Sequence, residues 1–194
     1  MKYLLVVILA ASIFLSAAFA EGEGEILFRD IPWGITLDEY VGRLEDEGMK
    51  ITLVLPSEMG CSVSLGNSNL EPVCNVAGYD AFMINVNSVY DVNDGNIDSD
   101  PLNSLVYSAS YTLIPNEDNV ISDLRKKLSV LYGEETILNQ HCSFESYLWN
   151  GRNNTTVELK PGLTQIVYTD NSVKAKVEEI EVFLYRNSKN LEGL

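Results

Sequence analysis

The sequence predicts an α+β fold, in which an antiparallel sheet packs with about three helices. Three segments carry apolar residues at helical spacing, and strand-like segments rich in alternating or β-branched residues separate them. Near the C-terminus, turn signals at Asn150-Gly151 and Pro161-Gly162 join consecutive strands directly, as only antiparallel strands allow. We therefore expect repeated helix–strand units, a C-terminal three-strand meander followed by a helix, and helices on one face of the sheet.

The first 20 residues have the pattern of a secretory signal peptide. Lys2 precedes a short apolar run over 3–15, and small residues end the segment at Ala18-Phe19-Ala20. Cleavage after Ala20 predicts a secreted protein, either extracellular or periplasmic. No Cys follows the predicted cleavage site, so we expect no stable membrane anchor in the mature protein; an uncleaved N-terminal anchor is the alternative.

Residues 21–194 have the length of a single α+β domain, and two packed halves, 26–114 and 115–194, are the alternative division. The chain has 28 acidic and 13 basic residues, with a net charge of −15. Such a surface repels nucleic acid and anionic lipid. It attracts basic proteins or cations, or serves solubility alone.

The first helix is predicted to begin at Thr36. Thr36 and Glu39 have the spacing of a capping box, and Gly48 is a stop signal. The helix then presents one apolar face, formed by Leu37, Tyr40, Val41 and Leu44. Trp33, just before this helix, is interpreted as a core anchor.

The middle of the chain is predicted to hold strands at 51–55, 79–90 and 105–113, with a loop over 56–72 that contains Cys61. In the last of these strands, Tyr107 and Tyr111 share one face by simple alternation. A second helix follows from about 116 and stops at Gly133. Strands at 144–149, 155–160 and 163–169 and a third helix after Ser172 complete the prediction.

Three cysteines occur in a chain predicted to enter an oxidising compartment. Cys61 and Cys74 enclose a short Gly/Ser/Asn-rich loop and are the preferred disulfide pair, which leaves Cys142 free and buried or available for an intermolecular bond. The other two pairings remain open. Metal binding by cysteine is disfavoured, because the sequence has no Cys-x-x-Cys and only one histidine.

Several short motifs resemble those of small secreted bacterial domains of unknown function. They are Ile31-Pro32-Trp33-Gly34-Ile35-Thr36, Leu131-Tyr132-Gly133, and Trp149 followed by Val157-Glu158-Leu159 and Ile166-Val167-Tyr168. In organisation the chain is similar to α+β folds of the β-lactamase-inhibitor-protein and outer-membrane-assembly-lipoprotein types. The resemblance implies a non-catalytic binding module of the cell envelope or exterior. The chain differs by lacking the lipobox cysteine and by its long 56–104 region.

An acidic stretch over 91–100 is the candidate metal site. Asp91, Asn93, Asp94 and Asp98 alternate with other residues around Gly95, as in a calcium loop of the EF-hand type. The glycine stands at position five instead of six, however, so the ligand register is broken. Calcium is the only cofactor that the sequence suggests, and a solvated acidic loop is the alternative.

The sequence shows no motif of a hydrolase or nucleotide-binding enzyme. His141 and Cys142 are adjacent and would point to opposite faces of a strand, so they do not form a dyad with each other. Asn153 and Asn154 open two overlapping glycosylation sequons, interpreted as hairpin residues. The leading hypothesis is a non-catalytic binding module with a protein partner.

Strand aromatics on an open sheet face are the candidate contacts of such a module, and we assign Tyr107, Tyr111 and Trp149 to ligand binding. Core packing is the alternative explanation for these side chains. A calcium-dependent ligand binder using the 91–100 loop, or a secreted hydrolase, is the alternative function.

Overall fold

The computed structural model describes residues 25–66, 71–93, 96–114, 119–139 and 145–191. Within these ranges the helices are α1 (Leu37–Asp46), α2 (Val120–Tyr132) and α3 (Asn171–Leu191). The strands are β1 (Ile51–Pro56), β2 (Gly60–Gly66), β3 (Cys74–Val76), β4 (Tyr79–Val89), β5 (Val92–Asn93), β6 (Asn96–Ile97), β7 (Leu105–Leu113), β8 (Thr136–Asn139), β9 (Glu145–Asn150), β10 (Thr155–Lys160) and β11 (Gln165–Asp170). Two 3-10 turns cover Pro101–Asn103 and Pro161–Leu163.

Nine strands form one antiparallel sheet in the order β1-β2-β4-β7-β11-β10-β9-β8, with β3 paired to the start of β4. The helix α1 precedes the strands of one half of this sheet, and α2 precedes the strands of the other half. The last strands of the two halves, β7 and β11, pair with each other at the centre. The predicted α+β class, the repeated helix–strand units and the strands followed by a C-terminal helix are confirmed.

One face of the sheet carries the main core. The helices α1 and α2 cover this face with Leu37, Tyr40, Leu44, Leu124 and Leu128, which are all 2% exposed or less. The strands contribute alternating apolar residues, among which Leu65, Ile84, Val157, Leu159 and Ile166 are fully buried. Burying a side chain of this size contributes about 1.5–3 kcal/mol, so this face accounts for most of the hydrophobic stabilisation. We call it the core face.

The predicted start of the first helix is confirmed. Thr36 Oγ1 accepts a hydrogen bond from the Glu39 backbone N–H at 3.3 Å. The Glu39 carboxylate accepts from Arg43 one turn later at 2.6 Å, so it does not complete the capping box. Trp33 is 8% exposed and donates its indole N–H to the Ile26 carbonyl at 2.8 Å. It is therefore a core anchor, as predicted.

The third helix departs from the expected arrangement with all helices on one face. Val173, Val177 and Ile180 of α3 pack in a second apolar cluster with Val89 and Leu105, whose side chains lie on the face opposite the core face. Asp170 caps this helix, because its Oδ1 accepts from the Ser172 N–H at 2.7 Å. The helix α3 therefore crosses one end of the second sheet face, and no other described helix packs on the rest of that face.

Three local predictions are wrong. The 56–72 segment was expected to be a loop, yet it contains β2, which pairs with both β1 and β4. The chain reverses between β9 and β10 with left-handed backbone at Asn153 (φ 55) and Asn154 (φ 61), whereas Asn150 is still part of β9. Pro161 begins a 3-10 turn that ends at left-handed Thr164 (φ 48), so it does not form a type II turn.

Among the described residues, no helix is both long enough and apolar enough to cross a membrane.

Candidate polar groove on the open sheet face

The sheet face opposite the core face carries mainly hydroxyl and amide side chains. Two rows of directly opposed residues cross β2, β4, β7, β11 and β10. The first row is Ser62, Asn87, Ser108, Thr169 and Thr156, and the second row is Ser64, Asn85, Ser110, Val167 and Glu158. We call this surface the polar face. It arises because each strand has period-two alternation, with apolar residues on the core face and small polar residues here.

Side-chain hydrogen bonds hold the polar face in register. Ser62 Oγ donates to Asn87 Oδ1 at 2.7 Å, and Asn87 Nδ2 donates to Ser108 Oγ at 3.3 Å. In the next row, Ser64 Oγ donates to Asn85 Oδ1 at 2.8 Å. These contacts fix the amide orientations, so the surface is preorganised before any ligand arrives.

A groove of about 350 Å³ lies on the polar face. From the first row its lining includes Asn87, Ser108 and Thr169. From the second row it includes Asn85, Ser110, Val167 and Glu158, and Lys160 and Gln165 also contribute. Tyr107 and Lys174, the latter from α3, also line it. The groove therefore combines neutral hydrogen-bonding groups with one aromatic ring, one carboxylate and two cationic side chains.

Glu158 is the chemically distinctive group of the groove. Its Oε1 is buried and makes no hydrogen bond within the described part of the chain, while its Oε2 lies 3.4 Å from Lys160 Nζ. Leaving a buried acceptor unsatisfied costs about 1–3 kcal/mol. With Lys160 and Lys174 as the other charged groups of the lining, the groove is not acidic, although the chain has a net charge of −15.

Tyr107 lies in the groove because of a β-bulge. Ser108 opposes Asn87 and Val106 opposes Ser88, so Tyr107 is the extra residue on β7. The bulge moves its ring off the core face, where simple alternation had placed it with Tyr111, and onto the polar face. There it packs in the second apolar cluster with Ile180 of α3. Of the three aromatic residues assigned to ligand binding, Tyr107 lines the groove.

Tyr111 and Trp149 lie on the core face and do not line the groove. Trp149 is 0% exposed and Tyr111 is 5% exposed. The Tyr111 ring stacks on Phe28 at 4.4 Å between centroids, and its hydroxyl accepts from Arg29 Nη1 at 3.5 Å. Burial raises the pKa of Tyr111 to about 12. The assignment of these two residues to ligand contact is therefore corrected, because packing accounts for both.

Within the acidic 91–100 stretch, β5 and β6 pair antiparallel, and Val92 opposes Ile97. Asp91 Oδ1 accepts from Lys176 Nζ at 2.5 Å, and Asp98 Oδ1 accepts from the Asp100 N–H at 3.1 Å. These two carboxylates are directed to different partners. Asp94 and Gly95 lie outside the described residues, and so does the turn that would have completed a calcium loop.

Potential metal ligands do not cluster elsewhere in the described part of the chain either. Within the described ranges, no three His, Cys, Asp or Glu side chains gather as metal ligands. For Asn93, the remaining predicted ligand, the structure defines the backbone, which pairs with Asn96 in the β5–β6 hairpin.

The predicted disulfide partners are not brought together. Cys61 opposes Ser88 and Cys74 opposes Ala81, seven positions apart along β4, which corresponds to about 23 Å. A disulfide requires Cα atoms within about 7 Å. Within the described residues neither thiol forms a disulfide, and burial raises the pKa of each. Cys142 and its neighbour His141 lie outside the described residues.

Another concavity, of about 460 Å³, adjoins α2. Ala77, Lys126, Lys127, Val130 and Leu131 line it. Its walls are mostly aliphatic, and no set of polar groups converges on it. The groove on the polar face is therefore the candidate functional site.

Sequence reasoning missed most of the groove, although a signal was present. Each of three strands carries a polar pair two residues apart, Ser62 and Ser64, Asn85 and Asn87, and Ser108 and Ser110. Such pairs place small polar groups on one sheet face. Only the strand register shows that the three pairs are adjacent to one another and to Glu158.

Neither the family models nor the curated proteins include a match to this chain.

Proposed function

We propose that this protein is a secreted, non-catalytic binding module whose ligand site is the groove on the polar face. The ligand is polyhydroxylated and belongs to the saccharide class. The secretion part of the proposal rests on the signal-peptide pattern of residues 1–20. The binding part rests on the groove.

The Glu158 side chain, a partly exposed carboxylate in the lining of the groove, is the observation that carries the proposal. A carboxylate oxygen accepts hydrogen bonds only, and a sugar hydroxyl is a donor that it can accept from. The adjacent serine, threonine and asparagine groups both donate and accept, which matches neighbouring hydroxyls on one ring. Tyr107 supplies an aromatic surface for the aliphatic side of a sugar ring.

The composition of the groove favours a saccharide over a protein partner. Protein interfaces are enriched in aromatic residues, methionine and arginine and depleted in serine, whereas this lining has two serines, two asparagines and a single aromatic ring. The volume of about 350 Å³ lies at the lower end of ligand sites. It suits one or two sugar units.

The test is a glycan array probed with protein purified from cells that express the full chain, followed by calorimetry on any saccharide retained. Glu158→Gln keeps the shape of the side chain, replaces one carboxylate oxygen with an NH2 group and removes the negative charge. We expect it to weaken binding by about 1.5–3 kcal/mol, the contribution of a hydrogen bond to a charged group. Glu145→Gln is the matched control, because Glu145 is an exposed carboxylate at the start of β9.

Binding that survives Glu158→Gln, or a protein that retains no saccharide, would refute the groove as a saccharide site. Arms with calcium and with chelator separate this proposal from the calcium-dependent alternative. Release of free sugar from a retained oligosaccharide would favour the hydrolase alternative.

A further inference from the structure

Among the described residues, Lys174 is the one cation of the groove that has neither an acidic partner nor a hydrogen bond. It belongs to the first turn of α3, and its side chain is exposed. Asp170, four residues earlier, is directed to the backbone N–H groups of Ser172 and Val173, at 2.7 and 3.2 Å. The Lys174 amine is therefore available to a group from outside the chain.

The neighbouring lysines are paired. Lys160 Nζ lies 3.4 Å from Glu158 Oε2, and Lys176 Nζ donates to Asp91 Oδ1 at 2.5 Å. Because acidic residues outnumber basic ones by 28 to 13 in this chain, the unpaired state of Lys174 does not reflect a shortage of carboxylates. With two lysines and one glutamate in its lining, the groove has an excess of one positive charge, which is that of Lys174.

The excess charge lies away from the pair of Glu158 and Lys160. Asn171, the first residue of α3, donates from Nδ2 to Thr156 Oγ1 at 3.4 Å, so α3 begins beside that residue. Lys160 is four residues from Thr156 along β10, which corresponds to about 13 Å. A ligand that spans the groove therefore meets a positive charge beside α3 and an ion pair with no net charge at the other end.

We propose that the saccharide bound by the groove is acidic and that Lys174 binds its carboxylate. This inference rests on the proposed function. The lysine ammonium has three donors and a carboxylate only accepts, and such charge-assisted hydrogen bonds are stronger than those between neutral groups. A hexuronic acid fits this arrangement, because it has one carboxylate beside several neutral hydroxyls. An amino sugar does not fit, because its positive charge would be added to the excess positive charge of the lining.

The test compares acidic saccharides with their neutral methyl esters. The probes are oligosaccharides of galacturonic acid and of glucuronic acid, each as the free acid and as the methyl ester, which removes the charge and keeps the ring. Calorimetry on protein purified from cells that express the full chain gives both dissociation constants. We expect at least one acid to bind roughly fivefold more tightly than its ester, as for a favourable exposed ion pair.

Three variants assign this preference to a residue. Lys174→Gln removes the charge, and we expect the ratio of the ester and acid dissociation constants to fall toward one. Lys174→Arg keeps the charge, and we expect the ratio to stay within about twofold of that of the natural chain. Lys126→Gln is the matched control, because Lys126 is an exposed lysine on α2 whose loss changes the net charge equally outside the groove. We expect it to leave the ratio unchanged.

The outcomes separate this inference from the proposed function. Esters that bind as tightly as the acids, or retention of neutral saccharides alone, would overturn the role of Lys174 while the groove remained a saccharide site. A ratio that does not respond to Lys174→Gln, or that responds equally to Lys126→Gln, would overturn it too. If the protein retains no saccharide of either kind, the proposed function fails and this inference fails with it.

Discussion

Ser62 donates a hydrogen bond to Asn87 across β2 and β4, with 2.7 Å between Oγ and Oδ1. Asn87 in turn donates to Ser108 on β7 at 3.3 Å. One amide thus links three neighbouring strands on the polar face. Such side-chain pairing fixes the surface that a ligand meets and also contributes to sheet stability.

Asn87→Ala removes both of these hydrogen bonds. A typical side-chain hydrogen bond contributes about 0.5–1.5 kcal/mol, so we expect the free energy of unfolding to fall by about 1–2 kcal/mol. Urea denaturation measures the change. Asn85→Ala is the comparison, because Asn85 accepts one hydrogen bond, from Ser64, and we expect about half the loss. Equal losses in the two variants would contradict this account of the polar face.

Trp149→Ala separates core packing from ligand contact. Trp149 is fully buried on the core face, and truncating a buried tryptophan costs about 3–5 kcal/mol. We expect denaturant unfolding to show a loss of this size. Val130→Ala is the control, because Val130 is 82% exposed, and we expect a change within about 0.5 kcal/mol. A folded, fully stable Trp149→Ala protein would mean that the side chain is not part of the core.

Trp149→Phe should lower the free energy of unfolding by less than Trp149→Ala does. The indole N–H of Trp149 has no hydrogen-bond partner within the described residues. Phenylalanine removes this buried donor while keeping much of the apolar ring, so relief of an unsatisfied polar group partly offsets the smaller volume. We expect the loss to be less than half of that for alanine, measured in the same denaturation series.

The ends of the first two helices, which depend on local signals, were predictable from the sequence. Thr36 caps α1, and left-handed backbone at Gly48 (φ 91) and Gly133 (φ 86) follows α1 and α2, because these signals act within a few residues. The helix–strand order followed from apolar periodicity. The strand β2 was missed because its serines and glycines resemble a loop, and only pairing with β1 and β4 makes a strand of them.

The groove depends on features that periodicity does not encode. Alternation placed Tyr107 and Tyr111 on the same face, and one bulge in β7 separated them. The acidic 91–100 stretch was interpreted as a calcium loop, with a solvated loop as the alternative, and neither interpretation anticipated the pairing of Val92 with Ile97. Register across strands distant in sequence decides which polar residues become neighbours, and a single sequence does not contain it.

Calcium should leave the stability unchanged. Asp91 is paired with Lys176, and Asp98 accepts hydrogen bonds from the Asp100 N–H and from Asn103 Nδ2. A site that used these carboxylates would have to break such contacts. We expect the same melting temperature in millimolar calcium and in chelator, measured by circular dichroism. Calcium sites of extracellular modules bind in the range of about 10⁻⁴–10⁻³ M, so a rise in melting temperature at these concentrations would revive the calcium-loop hypothesis.

Alkaline pH should destabilise the fold through its buried tyrosines. Burial raises the pKa of Tyr111 to about 12, and burial also raises the pKa values of Tyr40, Tyr132 and Tyr168. In the unfolded chain a tyrosine loses its proton near pH 10. Between about pH 10 and pH 12 the unfolded state therefore binds fewer protons than the folded state, so the free energy of unfolding falls as the pH rises.

The pKa of Tyr111 is about two units higher in the folded state than in the unfolded state. For this residue alone, ionisation therefore lowers the free energy of unfolding by roughly 2–3 kcal/mol. Urea denaturation at pH values from 9 to 12 measures the total, and tyrosinate absorbance follows ionisation in the same samples. Tyr111→Phe removes one ionisable hydroxyl from the core, and we expect a shallower loss of stability over this range. If the loss of stability had the same slope in Tyr111→Phe and in the natural chain, ionisation of Tyr111 would not be part of the alkaline transition.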